Sequence, residues 1–196
     1  GNYVMVTKIK RPFSYLVTYT RFPYQNDIYD MNGKLVKTVN NVPLDEVRPK
    51  GFMATRTGKR NMTWRADKPA TLVWAEALDS GDPKIKVKHR DVVYELNAPF
   101  NGNPRVILKT LQRFSGIQWG NDNTAVAYDY WWNTRNTKTY LFNPSNSNSE
   151  AKVITDRSYQ DLYSDPGNFV SSKNELGRYT LDIQGNKLYL MGAGYT

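Results

Sequence analysis

The chain has no cysteine. That removes disulfides, thiol nucleophiles and thiolate metal sites together. It has a single histidine, His89. A hydrolytic triad needs a histidine held by a carboxylate and touching a nucleophile. Asp91 stands two positions on and would share a strand face with His89, but no candidate serine accompanies the pair. A solvated strand or loop histidine is the simpler account. The nucleophile elbow Gly-x-Ser-x-Gly is also missing. No apolar run approaches the ~18 residues of a membrane span, and no segment keeps a helical period beyond about two turns. The expectation is therefore no catalytic residue, no metal, no cofactor and no membrane contact.

Three near-motifs do not hold. Gly51-Phe-Met-Ala-Thr-Arg-Thr-Gly-Lys-Arg60 superficially resembles a phosphate loop, but Met53 stands where glycine is required and Arg60 where a hydroxyl must bind magnesium. A basic inter-blade loop is the better reading. Asp27, Asp30, Asn32 and Gly33 suggest a calcium loop, yet counting back from Gly33 puts Ile28 at the first ligand position. Asp122, between Asn121 and Asn123, reads as turn chemistry rather than a metal site.

What is present is aromatic and basic. Aromatics make up 13% of the 196 residues, with 14 Tyr and 5 Trp, and such rings suit pleated, half-buried surfaces. With 39% hydrophobic residues the chain can bury a core. The formal charge is +9, from 27 Lys and Arg against 18 Asp and Glu. The cations are scattered, and the tightest group, Arg56, Lys59 and Arg60, lacks the interleaved aromatics of single-strand binders. Nucleic acid is accordingly not expected as a partner.

The sequence repeats. Tyr29-Asp-Met-Asn32, Tyr94-Glu-Leu-Asn97 and Tyr140-Leu-Phe-Asn143 share the form Tyr-x-apolar-Asn. Each leads through a turn to a second strand-like run: Lys34–Val39, Arg105–Thr110 and Ala151–Thr155. The first has Asn32-Gly33 at its tip, a strong hairpin signal. A second motif precedes the latter two hairpins. Trp64-Arg-Ala-Asp67 aligns with Trp119-Gly-Asn-Asp122, and each is followed by an apolar strand, Thr71–Ala75 or Ala125–Tyr128. Near-continuous apolar runs suit strands covered on both faces.

Together the motifs define a four-strand unit. The strands read as 3–9, 14–21, 26–31 and 34–39 in the first, 62–65, 70–78, 87–97 and 104–111 in the second, and 114–119, 124–132, 137–143 and 151–156 in the third. A loop follows 157. Then Tyr179–Ile183 and Lys187–Met191 flank Gln184-Gly185-Asn186 as the start of a fourth. Units of ~40–60 residues with four strands indicate a β-propeller. An ordinary sandwich explains the strands but not the recurring hairpins. The fold class is all-β: one partial propeller domain over 1–196, with blades at about 1–41, 52–111, 112–157 and an incomplete 158–196. An arc of this size does not close a ring of ~4–8 blades. The expectation is a piece of a larger protein, or two copies pairing through open blade faces.

At these turns the sequence resembles a known family. Arg60–Pro83 looks like the propeller of the prolyl oligopeptidase family of serine peptidases, nearest to its glutamyl endopeptidase and dipeptidyl peptidase-like branch. Phe114–Gly120, Tyr189–Gly194 and Arg11-Pro-Phe-Ser-Tyr15 fit the same branch, and the likeness spans about residues 3–194. The resemblance implies a propeller that screens peptide substrates by size for a C-terminal α/β-hydrolase domain holding the catalytic Ser, Asp and His. None of those motifs occurs in this chain. It also suggests a periplasmic or extracellular location, which the residues themselves do not fix.

One segment stands out for recognition: Tyr128-Asp-Tyr-Trp-Trp-Asn-Thr-Arg-Asn-Thr-Lys138. Neighbouring strand residues face opposite ways, so Trp131 and Trp132 cannot share a core face. One is expected to pack between blades and the other to line a surface or cavity. Arg135 suits a substrate carboxylate through paired bonds. Trp131, Trp132 and Arg135 are the candidate substrate-binding residues. The leading expectation is a non-catalytic gating segment of a serine peptidase. The alternative is a stand-alone scaffold for a protein or glycan, and a weaker one is a binder of polyanions, which steep salt dependence would reveal.

Overall fold

The computed structural model describes residues 1–146 and 149–194. It is all-β, a partial propeller whose sheets do not close into a barrel. Strands β1 (Tyr3–Ile9), β2 (Tyr24–Asp30) and β3 (Leu35–Val42) form a three-stranded antiparallel sheet in chain order. Strands β4 (Arg60–Trp64), β5 (Thr71–Ala77), β6 (Asp91–Asn97) and β7 (Arg105–Thr110) form a four-stranded meander. So do β8 (Arg113–Asn121), β9 (Thr124–Trp131), β10 (Asn136–Phe142) and β11 (Lys152–Ser158). The recurring hairpins are β2–β3, β6–β7 and β10–β11.

Alternation along β5 sets the core. Leu72 and Trp74 face the first sheet and pack with Ile28, Val39, Leu96 and Phe100. Val73 and Ala75 face the third sheet and pack with Phe114, Trp119, Ala125, Ala127 and Phe142. Both faces are covered, so the run is apolar throughout. Each fully buried Val- or Leu-sized side chain contributes about 1.5–3 kcal/mol.

Two readings of the sequence are corrected. Residues 14–21 are not a strand. They lie in an exposed loop ending in a 3-10 turn, Tyr19–Arg21. The loop is closed by the Phe13–Phe22 ring stack and by Ser14 donating to Glu46, so its residues pair with no strand. The first sheet thus has three strands, each matching one of the last three of a four-stranded sheet. The second correction concerns 158–194. The expected loop after 157 contains β12 (Asn168–Phe169) and β13 (Ser171–Lys173). These pair with β17 (Leu190–Met191) and β14 (Tyr179–Leu181), while β15 (Ile183–Gln184) and β16 (Lys187–Leu188) form a short hairpin through Gly185-Asn186. The expected fourth-unit strands are broken into short pieces. Residues 195 and 196 lie outside the described residues.

Strand register puts linkers 10–23, 43–59, 78–90, 132–135 and 159–167 at one end of the blades, the upper end. The turns 31–34, 65–70, 98–104 and 122–123 lie at the lower end. Arginines join the second and third sheets at both ends. At the upper end Arg113 bonds Asp79 at 2.8 Å, Asp91 at 3.1 Å and the Met53 carbonyl at 2.8 Å. Arg90 also pairs with Asp79, and Arg60 with Asp91. Burial pushes the Asp79 carboxyl up, but Arg113 and Arg90 outweigh this and hold it below the usual range. At the lower end Arg65 is held by Asp67 and Glu95, each at 2.5 Å, and lies 4.2 Å over the Trp119 ring. Arg105 bonds Glu95 and the Pro144 carbonyl. Arg178 donates to the carbonyls of Arg65 and Lys68, fastening the 158–194 segment to the same turn.

Gly81 marks a close approach of two upper loops. Its φ is +76°, and a Cβ there would lie 2.0 Å from the Thr55 carbonyl oxygen, so no other residue fits.

Candidate functional site

The segment between β9 and β10 separates the two tryptophans. Trp131 ends β9 and is half-buried, with the Arg90 guanidinium of the second sheet 4.6 Å over its ring. Trp132 turns to the surface and is 39% exposed. Its backbone N–H donates to Met53 Sδ at 3.2 Å, and its ring lies 5.3 Å from Phe52. Arg135 stacks 4.0 Å over Trp132 and donates to the Trp132 carbonyl at 2.7 Å. The loop holds this pose through a φ of +55° at Arg135. One Arg135 Nη is thus used inside the loop, and the guanidinium keeps further N–H groups for an acceptor.

The structure therefore brings Trp132 and Arg135 together and sends Trp131 to the inter-sheet seam. Phe52 and Met53 join the site from the 43–59 linker. Sequence reading missed this, because they sit about eighty positions from Trp132 and carry no local motif. A cleft of about 340 Å³ adjoins them, lined by Phe52, Met53, Arg60, Asn61, Phe114 and Tyr130. Exposed rings beside a stacked guanidinium can hold an apolar or carboxylate-bearing segment of an extended chain.

The sequence's other candidates have structural explanations. His89 lies in the loop before β6 rather than in the strand expected from residue 87. Burial, then Lys88 and Lys109, push its pKa down. Asp91 faces Arg113, Arg60 and the Phe114 N–H instead. Asp27 is enclosed by Lys8, Thr38 and Gln25, while Asp30 accepts from the N–H groups of Asn32 and Lys34 as a turn residue. Asp67 pairs with Arg65 and Asp122 with Lys68, so the turn bond in the third sheet is made by Asn121 to the Asn123 N–H. Among the described residues no cluster of three His, Asp or Glu could hold a metal.

Asp129, two residues before Trp131, is fully buried. It accepts from the Tyr140 hydroxyl and the Gln112 and Lys138 N–H groups. Burial outweighs those bonds and pushes its pKa up to about 6. A raised carboxyl pKa stabilises the fold at pH below the unfolded value of ~3.9 and is lost as pH rises through the folded value. The wild-type chain should thus lose stability relative to Asp129→Asn between about pH 4 and 6. Parallel urea curves for the two proteins across that range would count against this.

No family model matches the chain. A protein of Oryza sativa subsp. japonica named probable glutamyl endopeptidase, chloroplastic, is 37% identical over 182 residues, covering 92% of this chain and 19% of the relative. The Arabidopsis thaliana protein of the same name is 36% identical over 203 residues, covering 100% of this chain and 21% of the relative. A solved oligogalacturonate lyase in complex with manganese shares 12% identity at a TM-score of 0.46, over 80% of this chain and 39% of that one. The chain is thus a homologue of one segment, about a fifth of the whole length, of proteins named as glutamyl endopeptidases, a type within the prolyl oligopeptidase family.

Proposed function

We propose that the chain is a non-catalytic propeller segment of a two-domain serine peptidase. It gates and helps bind peptide substrates for a hydrolase domain that lies elsewhere in the longer polypeptide. The reading is supported by coverage: the relatives match nearly all of this chain, yet the chain spans only 19–21% of them. Among the described residues no serine stands beside His89 as a nucleophile beside its base, so this reading assigns the bond-breaking chemistry to the rest of that length. The contribution of this segment is position and access, with Trp132 and Arg135 as the contact point for substrate.

The test uses the longer polypeptide and a graded set of peptides. It should cleave short peptides and spare folded proteins, while the 196-residue chain cleaves neither. Arg135→Ala should raise KM for acidic peptides about tenfold, or about 1.4 kcal/mol, with kcat little changed. An unchanged KM would remove Arg135 from the substrate path, and cleavage by the isolated chain would overturn the non-catalytic reading.

A further inference from the structure

Asparagine is followed by glycine at two places, Asn32-Gly33 and Asn101-Gly102. The pair has a chemistry of its own. The backbone nitrogen of the glycine can attack the side-chain amide carbon of the asparagine, because glycine has no Cβ to obstruct the approach. Both pairs lie in lower-end hairpin turns, one between β2 and β3 and the other between β6 and β7. All four residues are exposed. A Cβ on either glycine would meet nothing within 4 Å beyond the adjoining residues. Access to water and crowding therefore do not separate the two turns. Hydrogen bonding does.

The first turn is locked by Asp30. The Gly33 N–H donates to the Asp30 carbonyl at 3.0 Å, and one Asp30 carboxylate oxygen accepts from the N–H groups of Asn32 and Lys34, each at 2.9 Å. A nitrogen whose N–H is held by a carbonyl cannot swing onto the preceding side chain until the turn opens. The second turn has no such lock. It is fixed on one side by Phe100, which is fully buried, donates its N–H to the Asn97 carbonyl and accepts from Lys37 Nζ at 2.6 Å. On the other side β7 begins at Arg105. Between these points, among the described residues, the N–H groups of Asn101, Gly102 and Asn103 and the Asn101 side-chain amide make no hydrogen bond.

We propose that Asn101 is a site of spontaneous covalent modification, deamidation through a cyclic imide, and that the fold protects Asn32 from the same reaction. The Gly102 nitrogen loses its proton to hydroxide and bonds to Asn101 Cγ. The Cγ–Nδ2 bond breaks, and Nδ2 takes up a proton and leaves as ammonia. Water then adds to one of the two imide carbonyls, and the bond from that carbon to the Gly102 nitrogen breaks. Opening at Cγ leaves aspartate. Opening at the Asn101 backbone carbon leaves isoaspartate, whose backbone runs through Cγ. Either product adds a negative charge to the turn. Isoaspartate also lengthens the backbone directly after Phe100, whose ring packs on Tyr3 at 5.2 Å and Trp64 at 5.9 Å in the seam between the first two sheets.

The experiment is peptide mapping by mass spectrometry of the longer polypeptide, incubated at pH 6 and pH 8, both folded and in urea. Isoaspartate is scored with an isoaspartyl methyltransferase. In the fold, Asn101 should react within about threefold of its rate in urea, while Asn32 should fall about tenfold or more below its own. Asn101 should react faster at pH 8 than at pH 6, because the deprotonated nitrogen attacks, and isoaspartate should be among its products. Asp30→Ala should raise the Asn32 rate in the fold severalfold and leave Asn101 unchanged. Protection of Asn101 equal to that of Asn32 overturns the proposal, and this comparison needs no variant. A rate at Asn101 independent of pH, or aspartate as its sole product, removes the imide route and overturns it as well.

Discussion

Replacing Arg113 by alanine should destabilise the fold by about 3–5 kcal/mol, the loss expected when one partner of a buried ionic network is removed. Arg113 starts β8, is 3% exposed, and reaches two carboxylates and two carbonyls of the preceding sheet and linkers. Without it, Asp79 keeps Arg90 and the Gly81 N–H and Asp91 keeps Arg60 and the Phe114 N–H, but both carboxylates remain fully buried with one of their two arginines gone. Asp79 should then rise from its depressed pKa, since burial already pushes it up and Arg113 is the first of the groups opposing that. The damage should therefore grow as pH rises through the carboxylate range and be fully present above it. Urea unfolding at pH 4 and pH 7 measures it. A loss below about 1 kcal/mol at pH 7 would show that Arg90 and Arg60 suffice. Arg113→Met is the informative companion: it keeps much of the packing volume, so any shortfall it shares with alanine reports the unpaired charge.

Trp74→Ala should cost about 3–5 kcal/mol through lost contacts and the cavity left behind. Trp74 is 1% exposed and is the largest fully buried side chain between the first and second sheets. Its ring stacks with Tyr94 at 5.8 Å, lies under Lys59 at 4.7 Å, and donates from Nε1 to Glu76 at 2.8 Å. The loss should be felt unevenly. The seam on the other side of β5, built on Val73 and Ala75, is untouched. Hydrogen exchange should thus speed up across β1–β3 more than across β8–β11. Uniform acceleration would mean that the sheets unfold as one unit and that the seams are not separable. Trp74→Phe, which fills most of the space, should recover the greater part of the stability.

The repeat was legible because each signal was local. Tyr29, Tyr94 and Tyr140 mark their hairpins within four residues, and Trp64 ends β4 while Trp119 stands two residues before the end of β8. Where a local signal had two outcomes, reading failed. Residues 14–21 are rich in aromatic and β-branched types, as a strand would be, yet such composition does not say that a neighbouring strand exists to pair with. Residues 168–173 went unseen for the opposite reason, since a short polar run such as Ser171-Ser172-Lys173 has no periodicity to show. The adjacent tryptophans were rightly expected to part, because strand geometry compels it. Which of them faced outward was not in the sequence.

The sequence alone determined the all-β class, the repeating unit and the kinship to a peptidase family. All of these depend on residue types and spacings within one or two strands. Only the tertiary structure decided what joins those units. Arg113 meets Asp79 across 34 positions and Arg65 meets Glu95 across 30, and Phe52 finds Trp132 from a linker two sheets earlier in the chain. It also decided that Tyr15, Phe52 and Trp132, from three separate linkers, stand exposed at one end. Charge pairing and ring packing act through distance in space, and a propeller brings linkers of successive blades to the same end whatever their separation along the chain.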